Sequence, residues 1–396
     1  MDILYLSHCV PNPPNKGEKI RAFHELNHLS KKYRVHLACF ARNADEIRDA
    51  EVLKDRCASV YVEPFSRSRA LADAAVCFGF GGCLTTSFYG SRRMRRYVES
   101  LRKLPLSATL VYSSAMAQYA PSQVPMWLDM VDVDSEKWTQ LGRTRWPGMA
   151  YKIEGHRLRT REAKFAERAA CTFVVTPQEQ DLLKAIAPGA KTVCASNGVD
   201  FDYFDPSLPS EAADLESRRF VAFVGSMDYY PNVEACDWFA TSVLPQLRSR
   251  WTDLEFFIVG RNPTRAVRRL AKLPGVVVTG GIPDVRPYLA LARSMVAPLN
   301  IACGMQNKVL EALAMGKSVH ASPAVAKTFS AALPHGVVIC NSDADYVREI
   351  DAVAGSLNAP DLKIRKSAQA RFSWSRSLER ITAEMASQET RLTIGG

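Results

Sequence analysis

Short apolar runs alternate along the whole chain with longer segments in which apolar positions recur every three or four residues. The first pattern is that of a strand buried on both faces, the second that of an amphipathic helix, and together they predict an α/β protein with parallel sheets. In the first half the runs place strands at 3–7, 35–40, 59–62, 109–113, 126–130 and 171–175; in the second half they fall at 220–225, 255–260, 276–279, 295–297 and 318–321. Between the two sets lies Ser196-Asn-Gly-Val-Asp-Phe-Asp-Tyr-Phe-Asp-Pro206, a turn-rich string of the kind found between domains. Near the end, Phe372-Ser-Trp374 precedes a helix over 377–387. The expected division is 1–197, 198–372, and a last helix and tail over 373–396.

Candidate chemistry concentrates in 294–316. Ser294-Met-Val-Ala-Pro298 reads as the end of a strand, Gly304 as a turn, and Val309, Leu310, Leu313 and Ala314 as the buried side of a helix closed by Gly316. A strand that ends at a helix N-terminus turns backbone N–H groups and the positive end of the helix dipole toward one spot, which suits a diphosphate. Lys308 in the first turn adds a cation, and Glu311 one turn on can accept from ribose hydroxyls. Phe220-Val-Ala-Phe-Val-Gly225 is a strand ending in a glycine, which lets a ligand approach the backbone. Ser226-Met227-Asp228, Val259-Gly-Arg261-Asn-Pro263 and Thr279-Gly-Gly-Ile-Pro-Asp-Val285 each read alone as an ordinary strand-to-loop turn. In the first half, Trp127-Leu-Asp-Met-Val-Asp-Val-Asp-Ser-Glu136 puts three aspartates at a strand end, where open α/β sheets bind ligands. Asp132 is the candidate catalytic acid/base, with Asp129 and Asp134 as alternatives and turn capping as the plain reading of all three.

The 294–316 segment resembles the donor motif of glycosyltransferase family 4, the retaining GT-B sugar transferases. Glu311 matches the second Glu of that family's Glu-x7-Glu pair, and Ala312-Leu-Ala-Met-Gly316 matches the tail that follows. Cys303 stands where the first Glu belongs, so ribose recognition carries over better than sugar recognition; branches without that Glu keep a Lys at the place of Lys308. The resemblance implies a GT-B fold, with two Rossmann-like domains whose parallel sheets face each other across a cleft and a C-terminal helix crossing back to the first domain. It implies a donor site of Gly225, Ser226, Arg261, Gly304, Gln306, Asn307, Lys308 and Glu311, with Ile282 in a loop holding the base. Pro13-Pro-Asn-Lys-Gly-Glu-Lys-Ile-Arg-Ala-Phe23 looks like the family's glycine loop, which would set Gly17 beside the acceptor or transferred sugar and Lys19 and Arg21 near phosphate. That string and Asp-Val-Asp-Ser-Glu-Lys-Trp138 are similar to the branch associated with exopolysaccharide and exosortase gene clusters. The implied activity is retaining hexosyl transfer from a nucleotide-diphosphate sugar to a lipid-linked glycan. The helix N-terminus and Lys308 would stabilise the departing nucleoside diphosphate in place of a metal, with no cofactor.

Composition narrows the alternatives. A chain of 396 residues, 47% hydrophobic, can bury two cores. Ten scattered cysteines without a Cys-x2-Cys pair read as core residues in a reducing compartment, and Met1-Asp-Ile-Leu-Tyr-Leu6 begins a strand directly, so a cytoplasmic protein without a secretory signal is expected. Residues 1–200 carry 29 Lys+Arg against 21 Asp+Glu, a balance of +8, whereas the remainder carries +2. Within 67–103 eight basic residues and two acidic ones flank an uncharged, glycine-rich run at 74–91 containing Phe78, Phe80, Leu84, Phe88 and Tyr89. That run is too polar to span a bilayer, but with Arg92, Arg93, Arg95 and Arg96 it suits peripheral contact with anionic lipid on the inner face of the cytoplasmic membrane. No recognition motif for nucleic acid accompanies the charge. His24-Glu-Leu-Asn-His28 fits the zinc-protease string, but Ile20, Phe23, Leu26 and Leu29 would form the buried side of its helix and leave both histidines toward solvent, without a third ligand. Gly79-Phe-Gly-Gly82 lacks the third glycine of a dinucleotide fingerprint. A nucleotide-sugar epimerase of the same fold and a catalytically silent nucleotide- or lipid-binding partner remain as other classes.

Overall fold

Among the described residues thirteen strands form two separate sheets, and every neighbouring pair in both runs parallel. The structure, a computed structural model, describes residues 1–394 apart from 16, 145, 209–212, 303, 330, 331, 357 and 358; of 144, 213 and 388–394 it describes the backbone alone. The first sheet comprises β1 (Asp2–Ser7), β2 (Arg34–Ala41), β3 (Ser59–Pro64), β4 (Leu106–Tyr112), β5 (Met126–Val131), β6 (Cys171–Val174) and β7 (Thr192–Cys194), in the order β3-β2-β1-β4-β5-β6-β7. The second comprises β8 (Arg219–Val224), β9 (Leu254–Val259), β10 (Val276–Gly280), β11 (Met295–Ala297), β12 (Val319–Ala321) and β13 (Val337–Ile339), in the order β10-β9-β8-β11-β12-β13. Strand order reverses between β1 and β4 in one sheet and between β8 and β11 in the other. At such a switch point the loops leaving the two strands diverge and open a crevice at their carboxyl ends.

The chain divides into two units, Met1–Ser196 with Ser377–Gly396, and Asn197–Arg376. Each has its own core: Leu4, Leu6, Val111, Leu128 and Val174 in the first, and Phe220, Phe223, Phe239, Phe256, Val309 and Leu313 in the second. Central strands such as β2 and β8 are buried nearly throughout because helices cover both faces, which is why they read as unbroken apolar runs. β7 and β13 were not expected. Both are three-residue edge strands, too short for an apolar run to distinguish strand from helix.

Two helices differ from expectation. The last runs Trp374–Ile394, longer at both ends than 377–387. In the helix Gly17–Ser30 the buried residues are Lys19, Arg21, Ala22, Glu25, Leu26 and Leu29, so two cations and an acid lie inside a stripe expected to be apolar. His24 and His28 are half-buried rather than turned to solvent, and His28 Nε2 lies 3.2 Å from Thr382 Oγ1 of the last helix. Burial lowers the His28 pKa, and no cluster of three metal-ligating side chains arises among the described residues.

Candidate functional site

Residues of the second unit converge at the switch point between β8 and β11. β11 leads through Gly304, whose φ of 63° is in the left-handed region, into the helix Asn307–Ala314, which buries Val309, Leu310, Ala312, Leu313 and Ala314. Gln306 at its N-cap makes no side-chain capping bond, whereas Thr176, Ser342 and Asp361 cap their helices. An uncapped first turn at a strand end is the backbone arrangement that receives an anion. Asn307 faces back along the unit, its Oδ1 accepting from Asn197 Nδ2 at 3.0 Å.

Lys308 and Glu311 stand one turn apart on this helix and both are half-buried. Burial pulls the Lys308 ammonium down to about 8 and pushes the Glu311 carboxyl up to about 7, each partly offset by the other's charge. Lys308 Nζ lies 4.1 Å from the centre of the Phe223 ring and donates to Asn232 Oδ1 at 2.8 Å. Gly225 directly follows β8, beside Lys308. A Cβ there would come 2.7 Å from Asn232 Nδ2 and 3.3 Å from Lys308 Nζ, so the space expected to admit a ligand to the Gly225 backbone is occupied by those two side chains. Gly260, at the end of β9, is equally constrained, because a Cβ on it would run into the Gly225 carbonyl oxygen.

The remaining second-unit candidates surround this point. Ser226 donates its hydroxyl to Asp228 Oδ1 at 2.6 Å and its carbonyl accepts from Asn232 Nδ2. Arg261 accepts at its carbonyl from Met227 N–H at 2.9 Å, and its charge helps lower the Asp228 pKa after the Ser226 and Asn262 bonds. Ile282 is half-buried in the loop after β10, where Asp284 pairs with Arg286, and the Arg286 guanidinium lies 4.4 Å from the centre of the exposed Tyr203 ring. Cys303 lies outside the described residues. Sequence reasoning missed Asn232, Phe223 and Tyr203: Asn232 is 76 positions from Lys308, and no spacing rule links them.

In the first unit the expected acceptor cations are corrected. Lys19 is buried against Glu46 at 2.9 Å, and Arg21 is buried against Asp129 at 2.6 Å and Glu25 at 3.2 Å. Both are held in internal ion pairs, because a cation on the covered face of a helix must find an acid there. Gly17 opens the helix and is exposed. His8, just past β1, was not expected: it stacks on Tyr112 and approaches Glu18, which Arg42 grips through two nitrogens.

Asp129 is fully buried with Arg21, which removes it as an alternative acid/base. Asp132 follows a tight turn in which its N–H donates to Met130 O across Val131, whose φ is 68°. A β-branched residue at that angle is strained, and such strain gathers at functional sites. Asp132 Oδ2 pairs with Lys137 at 2.8 Å, Lys137 also reaches Asp134, and Asp132 Oδ1 has no hydrogen-bond partner among the described residues. Glu179 and Glu162 hold the same loop by accepting from the Val133 and Ser135 N–H groups; burial pushes them up to about 7 and about 8.

Arg92, Arg93, Arg95 and Arg96 are exposed on the helix Arg92–Ser100, whose inner side buries Met94 and Val98. The helix Arg67–Gly79 buries just Ala74 and leaves Leu71 and Val76 in the open, and Phe80 after it is 88% exposed. Among the described residues no helix is long and apolar enough to cross a membrane.

Comparison with known proteins bears on this arrangement. The family described as Glycosyl transferases group 1 matches residues 218–354. No curated protein sequence matches the chain. Among solved structures, sucrose-phosphate synthase from Thermosynechococcus elongatus superposes with a TM-score of 0.69 at 15% identity, over 100% of both chains. HepE from Anabaena in complex with UDP superposes with 0.68 at 13% identity, over 98% of this chain and 100% of that one. The α,α-trehalose 6-phosphate synthase of Burkholderia multivorans gives 0.64 at 11%, over 98% and 99%. The fold is GT-B, and the second unit carries a region similar to group 1 glycosyl transferases.

Proposed function

We propose that this protein transfers a hexose, with retention, from a nucleotide-diphosphate sugar to a lipid-linked glycan in exopolysaccharide synthesis. The observation that carries the reading is the uncapped helix Asn307–Ala314 with Lys308 and Glu311 in its opening turns, at the switch point of a GT-B second unit matched by a glycosyl transferase family. Neighbouring structures of HepE hold UDP and UDP-glucose, which supports a nucleotide-sugar donor here. The diphosphate sits at the helix N-terminus against Lys308, and Glu311 accepts from the ribose hydroxyls. As the glycosidic bond to the diphosphate breaks, charge grows on the leaving oxygen, and the fixed amides and ammonium stabilise it without a metal. The acceptor belongs to the first unit, with Asp132 as its acid/base.

Peripheral attachment to the cytoplasmic membrane is part of the proposal. The four exposed arginines, with Leu71, Val76 and Phe80 exposed on and after the helix Arg67–Gly79, are a combination that suits anionic lipid.

A thermal-shift screen across nucleoside diphosphates tests the donor site, since specific binding raises stability by mass action. Lys308→Ala and Glu311→Ala should each weaken the selected diphosphate by on the order of 1–3 kcal/mol. Unchanged affinity in both folded variants rules the site out. For the membrane, replacing Arg92, Arg93, Arg95 and Arg96 by Ser should abolish most binding to anionic vesicles at low salt, each cation contributing about 1 kcal/mol. Equal binding of the wild type to neutral and anionic vesicles defeats that part.

A further inference from the structure

We propose that Asn232 is a positioning residue for the donor diphosphate, a neutral tether that holds the Lys308 ammonium at the phosphate site without cancelling its charge. The proposal rests on the donor-site reading above. Asn232, in the first turn of the helix Tyr230–Trp238, is 5% exposed. Its Nδ2 donates to Ser226 O at 2.8 Å, which fixes the orientation of the amide. The other end must then present oxygen, and Oδ1 accepts from Lys308 Nζ at 2.8 Å. The Phe223 ring supports the ammonium through its negative face, and the missing side chain of Gly225 provides the room. An ammonium has three N–H donors, so one is held by Asn232 and two are left for phosphate oxygens.

Neither aspartate nor an apolar residue would fit both ends. Aspartate would ion-pair with Lys308 and cancel the charge, while setting a carboxylate oxygen against the Ser226 carbonyl. An apolar residue would leave the carbonyl and the ammonium without partners. The groups around the ammonium are Phe223, Asn232, the Cys236 thiol and Glu311, and burial keeps that thiol protonated by raising its pKa. Among the described residues Glu311 is therefore the one acid in that group, and it is the residue assigned to ribose.

The experiment compares wild type, Asn232→Ala, Asn232→Asp and Lys308→Ala by calorimetric titration. The ligands are the nucleoside diphosphate selected by the screen and the matching nucleoside. Asn232→Ala and Asn232→Asp should each lose at least tenfold in diphosphate affinity, approaching Lys308→Ala, while nucleoside affinity stays within twofold. NMR of the lysine Nζ signals, with Lys308 assigned by its loss in Lys308→Gln, should show its titration near 8 moving upward in Asn232→Asp. That shift separates tethering from a general structural role and, Asp being nearly isosteric, remains available if Asn232→Ala fails to fold. If Lys308→Ala loses diphosphate affinity and the folded Asn232 variants keep it, the tether is wrong although the donor site stands. If wild type binds no nucleoside diphosphate, both readings fall.

Discussion

Lys308 and Glu311 carry opposite charges one helical turn apart, and burial pushes each toward its neutral form. In the proposed donor site their states would therefore set the pH range of binding. Below about 7 Glu311 gains a proton and would lose part of its capacity to accept from ribose; above about 8 Lys308 loses its proton and with it the attraction proposed for phosphate. Nucleoside diphosphate affinity should peak between these values and fall on both sides, with Glu311→Gln removing the acidic limb and Lys308→Arg the alkaline one. Calorimetric titration from pH 5.5 to 9.5 checks it, and a flat profile counts against both assignments. These two residues were legible because helical spacing and a strand end are local signals. Asn232 was not, because its bond with Lys308 forms only once β8 and β11 lie side by side. Gly225 was legible as a special position, but the occupants of its open side were not.

At the scale of the element, the loop after β5 is held from both sides by buried acids. Glu179 and Glu162 have pKa values raised above those of an unfolded chain, so the folded state holds extra protons between about 4.3 and their folded values of about 7 and about 8. Stability from this source is complete below the unfolded value and is lost as pH rises through the folded ones. Glu162→Gln with Glu179→Gln keeps an oxygen for each N–H and removes the titration. Denaturant unfolding from pH 5 to 9 should show wild type losing more stability than this double variant. Identical pH dependence would mean that neither acid retains its proton in the folded loop. The sequence flagged this strand end through its aspartates, yet it gave no means of seeing that Lys137 pairs with two of them or that glutamates from distant helices clamp the turn.

Across a whole unit, the strand order and apolar runs were readable because parallel strands covered on both faces leave a plain signature. The charged centre of the first unit was not. Arg21 joins the helix Gly17–Ser30 to β5 through Asp129 and to the end of the unit through the Ala195 and Ser196 carbonyls. Burial and the neighbouring Asp129 push Glu25 well up, which favours its protonated form beside Arg21, and Glu25 Oε2 accepts from the Tyr5 hydroxyl. Arg21→Ala should therefore cost about 3–5 kcal/mol, as removal of one member of a buried pair does. Glu25→Gln, which imitates the protonated acid, should cost less than about 1.5 kcal/mol. Chemical denaturation of both separates this from an ordinary surface pair, for which the two losses would be similarly small.

That first unit is assembled from two distant stretches of chain. Leu378, Ile381 and Met385 of the last helix are buried, and the helix meets the unit at His28, Lys32, Lys191 and Cys194. On a ribosome the intervening residues 197–376 emerge before the closing helix does. At roughly 5–20 residues per second, the first unit waits on the order of 10–35 seconds for its final piece. The portion synthesised second thus has the means to fold first, and the opening portion depends on the later emergence of that helix for its completion.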